Sequence, residues 1–292
     1  MILAMNYDGL YRHVGDRPTE EDIERVRRFR EKGGIFGIVT DRDVFTIMAI
    51  IGMFRGEYDF LVCSSGVCVI AKTSDPTAGV ALSSVGVESE LPVQLYCHTC
   101  HQSFLTMLYD LFSSVGMTFM TVDTPGFRGG MAMARDFAAK HAGSSEVGCG
   151  VHFWYDGGQY FIGKVGREAL DSMRPFTACA AGFKNEVTAI GVCDAVERFF
   201  PGKFEVNRSG GMVFVTAKGC NREYAIRRYA EFAGVADGDI MVAGSCEADI
   251  CALRAFGGIA LSGSDPKVMA AAASEEESFA RIMDLAMERV QG

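Results

Sequence analysis

The sequence predicts an α/β protein whose parallel-sheet core is interrupted by an inserted α+β domain, and three observations lead there. Short, mainly apolar runs at Met1–Met5, Ile35–Val39 and Tyr58–Val62 alternate with segments of helical spacing, the pattern of buried parallel strands joined by right-handed crossovers. After about residue 88 this rhythm gives way to aromatic strands and Gly-rich turns. It resumes near residue 213 and runs to the end of the chain, so residues 1–88 and 213–292 form the expected core and 89–212 the insertion.

Taken in order, the first apolar run ends in Asn6-Tyr7-Asp8-Gly9, a loop at the carboxyl end of a buried strand, where α/β proteins keep their chemistry. Thr19 caps a helix with Glu20, Glu21 and Asp22 in its first turn and Ile23, Val26 and Phe29 on its apolar face, ending at Gly33-Gly34. Strand Ile35–Val39 runs into Thr40-Asp41-Arg42, followed by a helix from Phe45 to Phe54. The next strand, Tyr58–Val62, ends at Cys63-Ser64-Ser65-Gly66. In the insertion, strands are expected at Val93–Tyr96, Val151–Tyr155 and Tyr160–Ile162, with a helix from Phe104 to Leu111. The returning core is read as strand Met212–Thr216, helix Glu223–Phe232, strand Asp239–Ala243, helix Ala248–Phe256, strand Gly258–Leu261 and a last helix over Glu275–Val290.

Composition narrows the function. The 292 residues carry a net charge of −9, with one notable basic cluster, Arg25–Lys32, which reads as the solvated face of a helix; a nucleic-acid partner is not expected. No run reaches the length of a membrane span, and the N-terminus lacks the pattern of a signal peptide, so a cytoplasmic protein with no membrane partner is expected. Ten cysteines, mostly within apolar stretches, read as reduced core residues. The exception is Cys97-His98-Thr99-Cys100-His101, which matches the spacing for haem attachment and half of that for zinc; otherwise it is a strand-to-helix corner. Trp154 reads as core of the insertion, and His13 and Arg128 as minor candidates for facing a ligand.

Read as one ordered series, these loops resemble the Cof-type members of the haloacid dehalogenase superfamily, phosphatases with a Rossmann-like core and an inserted α+β (type IIB) cap. The matching segments are Asn6-Tyr7-Asp8-Gly9-Leu10, Thr40-Asp41-Arg42, Ser65-Gly66, Gly219-Cys220-Asn221-Arg222-Glu223, Gly244-Ser245-Cys246-Glu247-Ala248-Asp249 and Ser262-Gly263-Ser264-Asp265-Pro266. The resemblance implies a nucleophile at position 6, general acid/base work at Asp8, phosphate binding by Thr40 and Arg222 with Asp41 beside them, and magnesium at Asn6, Asp8, Ser245 and Asp249. It also implies a small phosphorylated metabolite as ligand, held between core and cap.

Three of these positions depart from the family. Asn6 replaces the nucleophilic aspartate, Arg222 the lysine and Ser245 an aspartate, so that five site positions carry −1 rather than the −3 the resemblance implies. An amide oxygen is a poor nucleophile and a neutral magnesium ligand, so covalent catalysis is expected to fail and magnesium to bind weakly or only with phosphate. A guanidinium, in contrast, grips phosphate with a fork. The expectation is a phosphatase-like protein that binds a phosphorylated metabolite with hydrolysis weak or lost. The alternatives are an active magnesium-dependent phosphatase in which Asn6 is tolerated or engineered, and a metal or haem protein built on Cys97–His101. A substrate-trapping change would account for Asn6 but not for Arg222 and Ser245.

Overall fold

The computed structural model describes residues 1–11, 18–54, 57–75, 77–81, 91–123, 151–155, 158–162 and 175–291. His13 and Arg128 lie outside the described residues, as does the side chain of Trp154. The chain forms two units. One comprises Met1–Arg42, Ile47–Tyr96 and Asn221–Gly292, the other Asp43–Thr46 and Cys97–Cys220.

The first unit is built on a nine-stranded sheet. Its strands are β1 (Ile2–Asn6), β2 (Ile35–Val39), β3 (Phe60–Cys63), β4 (Cys68–Thr73), β5 (Val80–Ala81), β6 (Leu91–Cys97), β13 (Ile240–Gly244), β14 (Ile259–Leu261) and β15 (Ser274–Glu276), ordered β15-β14-β13-β1-β2-β3-β4-β6-β5. From β15 to β3 every pairing is parallel, with Ile2 opposite both Ile35 and Ile240. All five residues of β1 are buried, as its unbroken apolar run requires of a central parallel strand.

Helices cover both faces. α1 (Glu20–Glu31) begins with the expected box: Asp22 N–H donates to Thr19 Oγ1 at 3.1 Å and Thr19 N–H to Asp22 Oδ2 at 3.2 Å. It buries Ile23, Val26 and Phe29 and lies beside the last helix, α8 (Phe279–Gln291), to which Arg25 is ion-paired through Asp284 at 2.9 Å. The basic cluster is a solvent-side ladder, with Arg27 and Arg30 on Glu57 and Arg30 also on Asp59. On the opposite face, α5 (Arg222–Ala233) and α6 (Ile250–Phe256) pack Ile226, Tyr229 and Leu253 against Ala4, Val62 and Val242. The Tyr229 ring stacks on Phe60 with centroids 3.8 Å apart. α2 (Val44–Phe54) and the short α7 (Pro266–Met269) are the other α-helices among the described residues of this part of the chain.

The second unit has a six-stranded sheet, ordered β11-β12-β10-β7-β8-β9, from β7 (Phe119–Asp123), β8 (Val151–Tyr155), β9 (Gly158–Ile162), β10 (Ala178–Gly182), β11 (Phe204–Ser209) and β12 (Met212–Ala217). Among its described pairings only β7 with β8 is parallel. α3 (Gln102–Ser114) and α4 (Glu186–Phe199) supply Leu105, Leu108, Phe112, Val192 and Val196 to a core shared with Val213 and Val215. This is the expected α+β unit.

Its limits differ from the expected 89–212. Met212–Thr216, read as a core strand, belongs to β12 and pairs antiparallel with β10 and β11 in the smaller sheet. Its burial shows why: Val213 and Val215 are covered while Met212 and Phe214 are only partly so, the alternation of a half-covered antiparallel strand. At the other boundary β6 joins the nine-stranded sheet, and Tyr96 Oη donates to the Gly66 carbonyl at 2.6 Å. The final helix is also shorter than expected, because Ser274–Glu276 forms the edge strand β15.

Cys97–His101 is a strand-to-helix corner. Cys97 ends β6, Cys100 exchanges backbone hydrogen bonds with Phe176 at 2.6 and 3.1 Å, and His101 caps α3 by accepting from Ser103 N–H at 3.3 Å. Among the described residues no three His, Cys, Asp or Glu side chains come together as a metal site, and the described cysteines are free thiols. No helix among the described residues is long and apolar enough to cross a membrane.

Candidate active site

Every residue that the resemblance assigns to the site lies in the first unit: Asn6 and Asp8 at the carboxyl end of β1, Thr40 and Asp41 after β2, Ser245 and Asp249 after β13, and Arg222 at the start of α5. Asn6 is the last residue of β1 and is buried. Its Oδ1 accepts from Asp8 N–H at 3.1 Å, which closes the loop into an Asx turn. That leaves Nδ2 pointing inward, where it donates to Asp249 Oδ2 at 2.8 Å and lies 3.4 Å from Ser245 Oγ and 3.3 Å from Cys246 Sγ. The position that the resemblance assigns to a nucleophile therefore presents N–H groups to the site.

Asp249 follows β13 in a 3₁₀ turn and is 2% exposed. Its Oδ2 also accepts from the N–H groups of Ser245 and Cys246 at 2.8 and 3.0 Å, and its Oδ1 is ion-paired with Arg222 Nη1. Arg222, 1% exposed, opens α5 just after the N-cap Asn221 and bridges two carboxylates: Asp249 on one side and Asp41 on the other, with Nη2 2.6 Å from Asp41 Oδ1. Burial disfavours its charge, but Asp249 and Asp41 outweigh that and hold its pKa well above the ordinary arginine value. Its Nε is buried without a hydrogen-bond partner, so the guanidinium is placed through its two Nη groups, by the carboxylates and the Cys246 thiol.

Asp41 was expected beside the phosphate, with Thr40 and Arg222. Instead it closes the network, accepting from Ser65 Oγ as well as from Arg222. Ser64 and Ser65 reach this position in the left-handed region, with φ of 47° and 57°, a conformation that serine adopts only under constraint. The constraint is visible: Ser64 N–H donates to Arg42 O at 2.9 Å and Ser65 N–H to Thr40 O at 3.2 Å. Next to them Gly66, at φ +103°, lies so close to α5 that a Cβ would sit 2.3 Å from the backbone of Asn221. Gly66→Ala is accordingly expected to cost about 2–3 kcal/mol by pushing α5 and Arg222 out of place; urea denaturation measures it, and an unchanged midpoint would contradict this packing.

Asp8 is partly exposed, whereas Thr40 beside it is fully buried. Thr40 Oγ1 lies 3.4 Å from Asp8 Oδ2 and accepts from Arg42 N–H at 3.1 Å. Arg42 grips Asp8 with both arms, Nη2 to Oδ1 at 2.8 Å and Nε to Oδ2 at 3.1 Å, at side-chain exposures of 28% and 39%. Ser245 Oγ donates to the Asp8 carbonyl at 3.2 Å. Sequence reasoning quoted Arg42 and Cys246 within motifs but gave neither a role. Arg42 is the partner of the expected general acid. The Cys246 thiol, 3.5 Å from Arg222 Nη1, is pushed up to about 12 by burial, against the opposing pull of Arg222.

The sign of that shift gives a pH prediction. A thiol whose folded pKa is raised above its unfolded value keeps its stabilising effect below about pH 9 and loses it as pH rises toward 12. Cys246→Ala should flatten the alkaline loss of stability between pH 9 and 11 by about 1.4 kcal/mol per unit, read from urea midpoints; equal slopes would contradict it.

Magnesium does not fit this arrangement. The four expected ligands are an amide turned nitrogen-first, a carboxylate held by Arg42, a hydroxyl committed to a backbone carbonyl, and a buried carboxylate saturated by Arg222 and three further N–H donors. A guanidinium occupies the charge that a cation would supply. Arg222 is likewise engaged by carboxylates rather than presented to a phosphate, and Asp41 is the anion that engages it.

No protein-family model matches the sequence, and no curated protein is similar to it in sequence. Solved structures are similar in fold. A sugar phosphatase of haloacid dehalogenase subclass IIB superposes with a TM-score of 0.67 at 16% identity, over 99% of this chain and 97% of that one. A protein described as a HAD/Cof-like hydrolase from Plasmodium vivax gives 0.70 at 14% identity, covering 99% and 95%. A haloacid dehalogenase-like hydrolase from B. subtilis gives 0.68 at 13%, covering 97% and 98%. With the ordered loops converging at the carboxyl end of a parallel sheet, the chain has the fold of the haloacid dehalogenase phosphotransferases.

Proposed function

We propose that this protein is a non-hydrolysing relative of the haloacid dehalogenase phosphatases that binds a small phosphorylated metabolite at the carboxyl edge of its core sheet. The observation that carries the loss of hydrolysis is the inward amide of Asn6, hydrogen-bonded to Asp249 while Arg222 neutralises that carboxylate. An in-line attack needs an anionic oxygen there, and none of the surrounding groups can supply it: the Cys246 thiol is held protonated and Asp249 is paired with Arg222.

Binding is supported at a different point. Of the two arginines in the network, Arg42 is the accessible one, and it stands beside the Thr40 hydroxyl. A phosphate dianion can displace Asp8 from the Arg42 fork, exchanging a carboxylate for a doubly charged acceptor of matching geometry. Inorganic phosphate should therefore raise the melting temperature of the wild-type protein, and Arg42→Gln should abolish the rise while keeping the fold. A phosphate response that survives Arg42→Gln would place the anion elsewhere.

A further inference from the structure

We infer that Arg222 is a built-in replacement for a divalent cation: its guanidinium, with the Asn6 amide, holds the buried end of this site together without metal, and removing either leaves a cluster that takes up a divalent cation. The inference stands independently of phosphate binding at Arg42.

Asp249 is 2% exposed, and a buried carboxylate needs a counter-charge and a full set of hydrogen bonds. It has both, the charge from Arg222 and three N–H donors from Asn6, Ser245 and Cys246. Arg222 also does what a bridging ion does, joining carboxylates from two different strand ends, Asp41 after β2 and Asp249 after β13. Deleting the guanidinium leaves those two charges facing each other with no cation between them. Two carboxylates carry the charge that one divalent ion neutralises, and the vacated volume admits the ion with its remaining waters.

Position 6 fits the same scheme. With Oδ1 fixed by Asp8 N–H, an aspartate here would turn its second oxygen to where Nδ2 now stands, 2.8 Å from Asp249 Oδ2. Two carboxylate oxygens at that separation require a shared proton or a metal ion. Asn6 thus removes, beside Asp249, a second need for a cation.

Thermal unfolding in magnesium chloride, at ionic strength fixed with sodium chloride, tests this. The wild-type melting temperature should be independent of magnesium. Arg222→Ala should melt lower in sodium chloride and regain at least half of the lost temperature with magnesium. Asn6→Asp, which keeps Arg222, should show a magnesium-dependent rise absent from the wild type, and provides the answer if Arg222→Ala does not fold. A wild-type protein stabilised by magnesium, or variants no more responsive than the wild type, would overturn the inference.

Discussion

Arg222→Met is expected to lower the stability of the protein by about 3–5 kcal/mol, because it strips the counter-charge from a carboxylate that water cannot reach. The buried pair Arg222–Asp249 is not thereby worth that much. Most of the loss is the cost of leaving Asp249 uncompensated, so the double variant Arg222→Met/Asp249→Leu should recover a large part of it. Arg222→Lys should fall between, since a compact ammonium cannot span Asp41 and Asp249 as the planar fork does. Urea denaturation of the four proteins reads the series. A loss below about 1 kcal/mol for Arg222→Met would mean that the network contributes no more than an exposed ion pair.

Asn6→Asp is expected to yield no phosphatase activity, although it restores the carboxylate that the fold's chemistry uses. Missing a nucleophile alone removes on the order of 10⁴–10⁶-fold in rate, and here the supporting groups are also committed. The new carboxylate would meet Asp249, which remains bound to Arg222, while Ser245 keeps its bond to the Asp8 carbonyl. A magnesium ion drawn to the new carboxylate would find Asp249 still paired with Arg222 and a neutral Ser245 beside it, so it would not align phosphate for attack. Release of inorganic phosphate from aryl and sugar phosphates should remain at the background rate. Recovery of turnover by this single change would show that the rest of the site is intact.

Much of the fold was legible because its signals are local or ordered. The all-apolar run before Asn6 identifies a central parallel strand, Thr19 marks the start of α1 through its capping box, and the loop series brings Asn6, Thr40, Arg222 and Asp249 to one sheet edge. What could not be read was direction. Spacing places Asp41 next to Thr40, but only the left-handed turn of Ser64 and Ser65 explains why it turns toward Arg222 rather than solvent. In the same way, spacing brings Arg222 into the site without saying whether its fork meets a phosphate or two carboxylates. The allegiance of β12 was hidden for another reason: its residues are apolar enough to read as a buried run, and the alternation of Val213 and Val215 emerges only against its partners.

The central claim is that charge pairing has replaced phosphoryl chemistry at this sheet edge. It is tested most directly by phosphate release from the unmodified protein, incubated with magnesium and a panel of aryl and sugar phosphates and compared with protein-free controls. Rates equal to the controls are predicted for every substrate; magnesium-dependent release that scales with protein concentration and vanishes in Asp249→Asn would contradict the account.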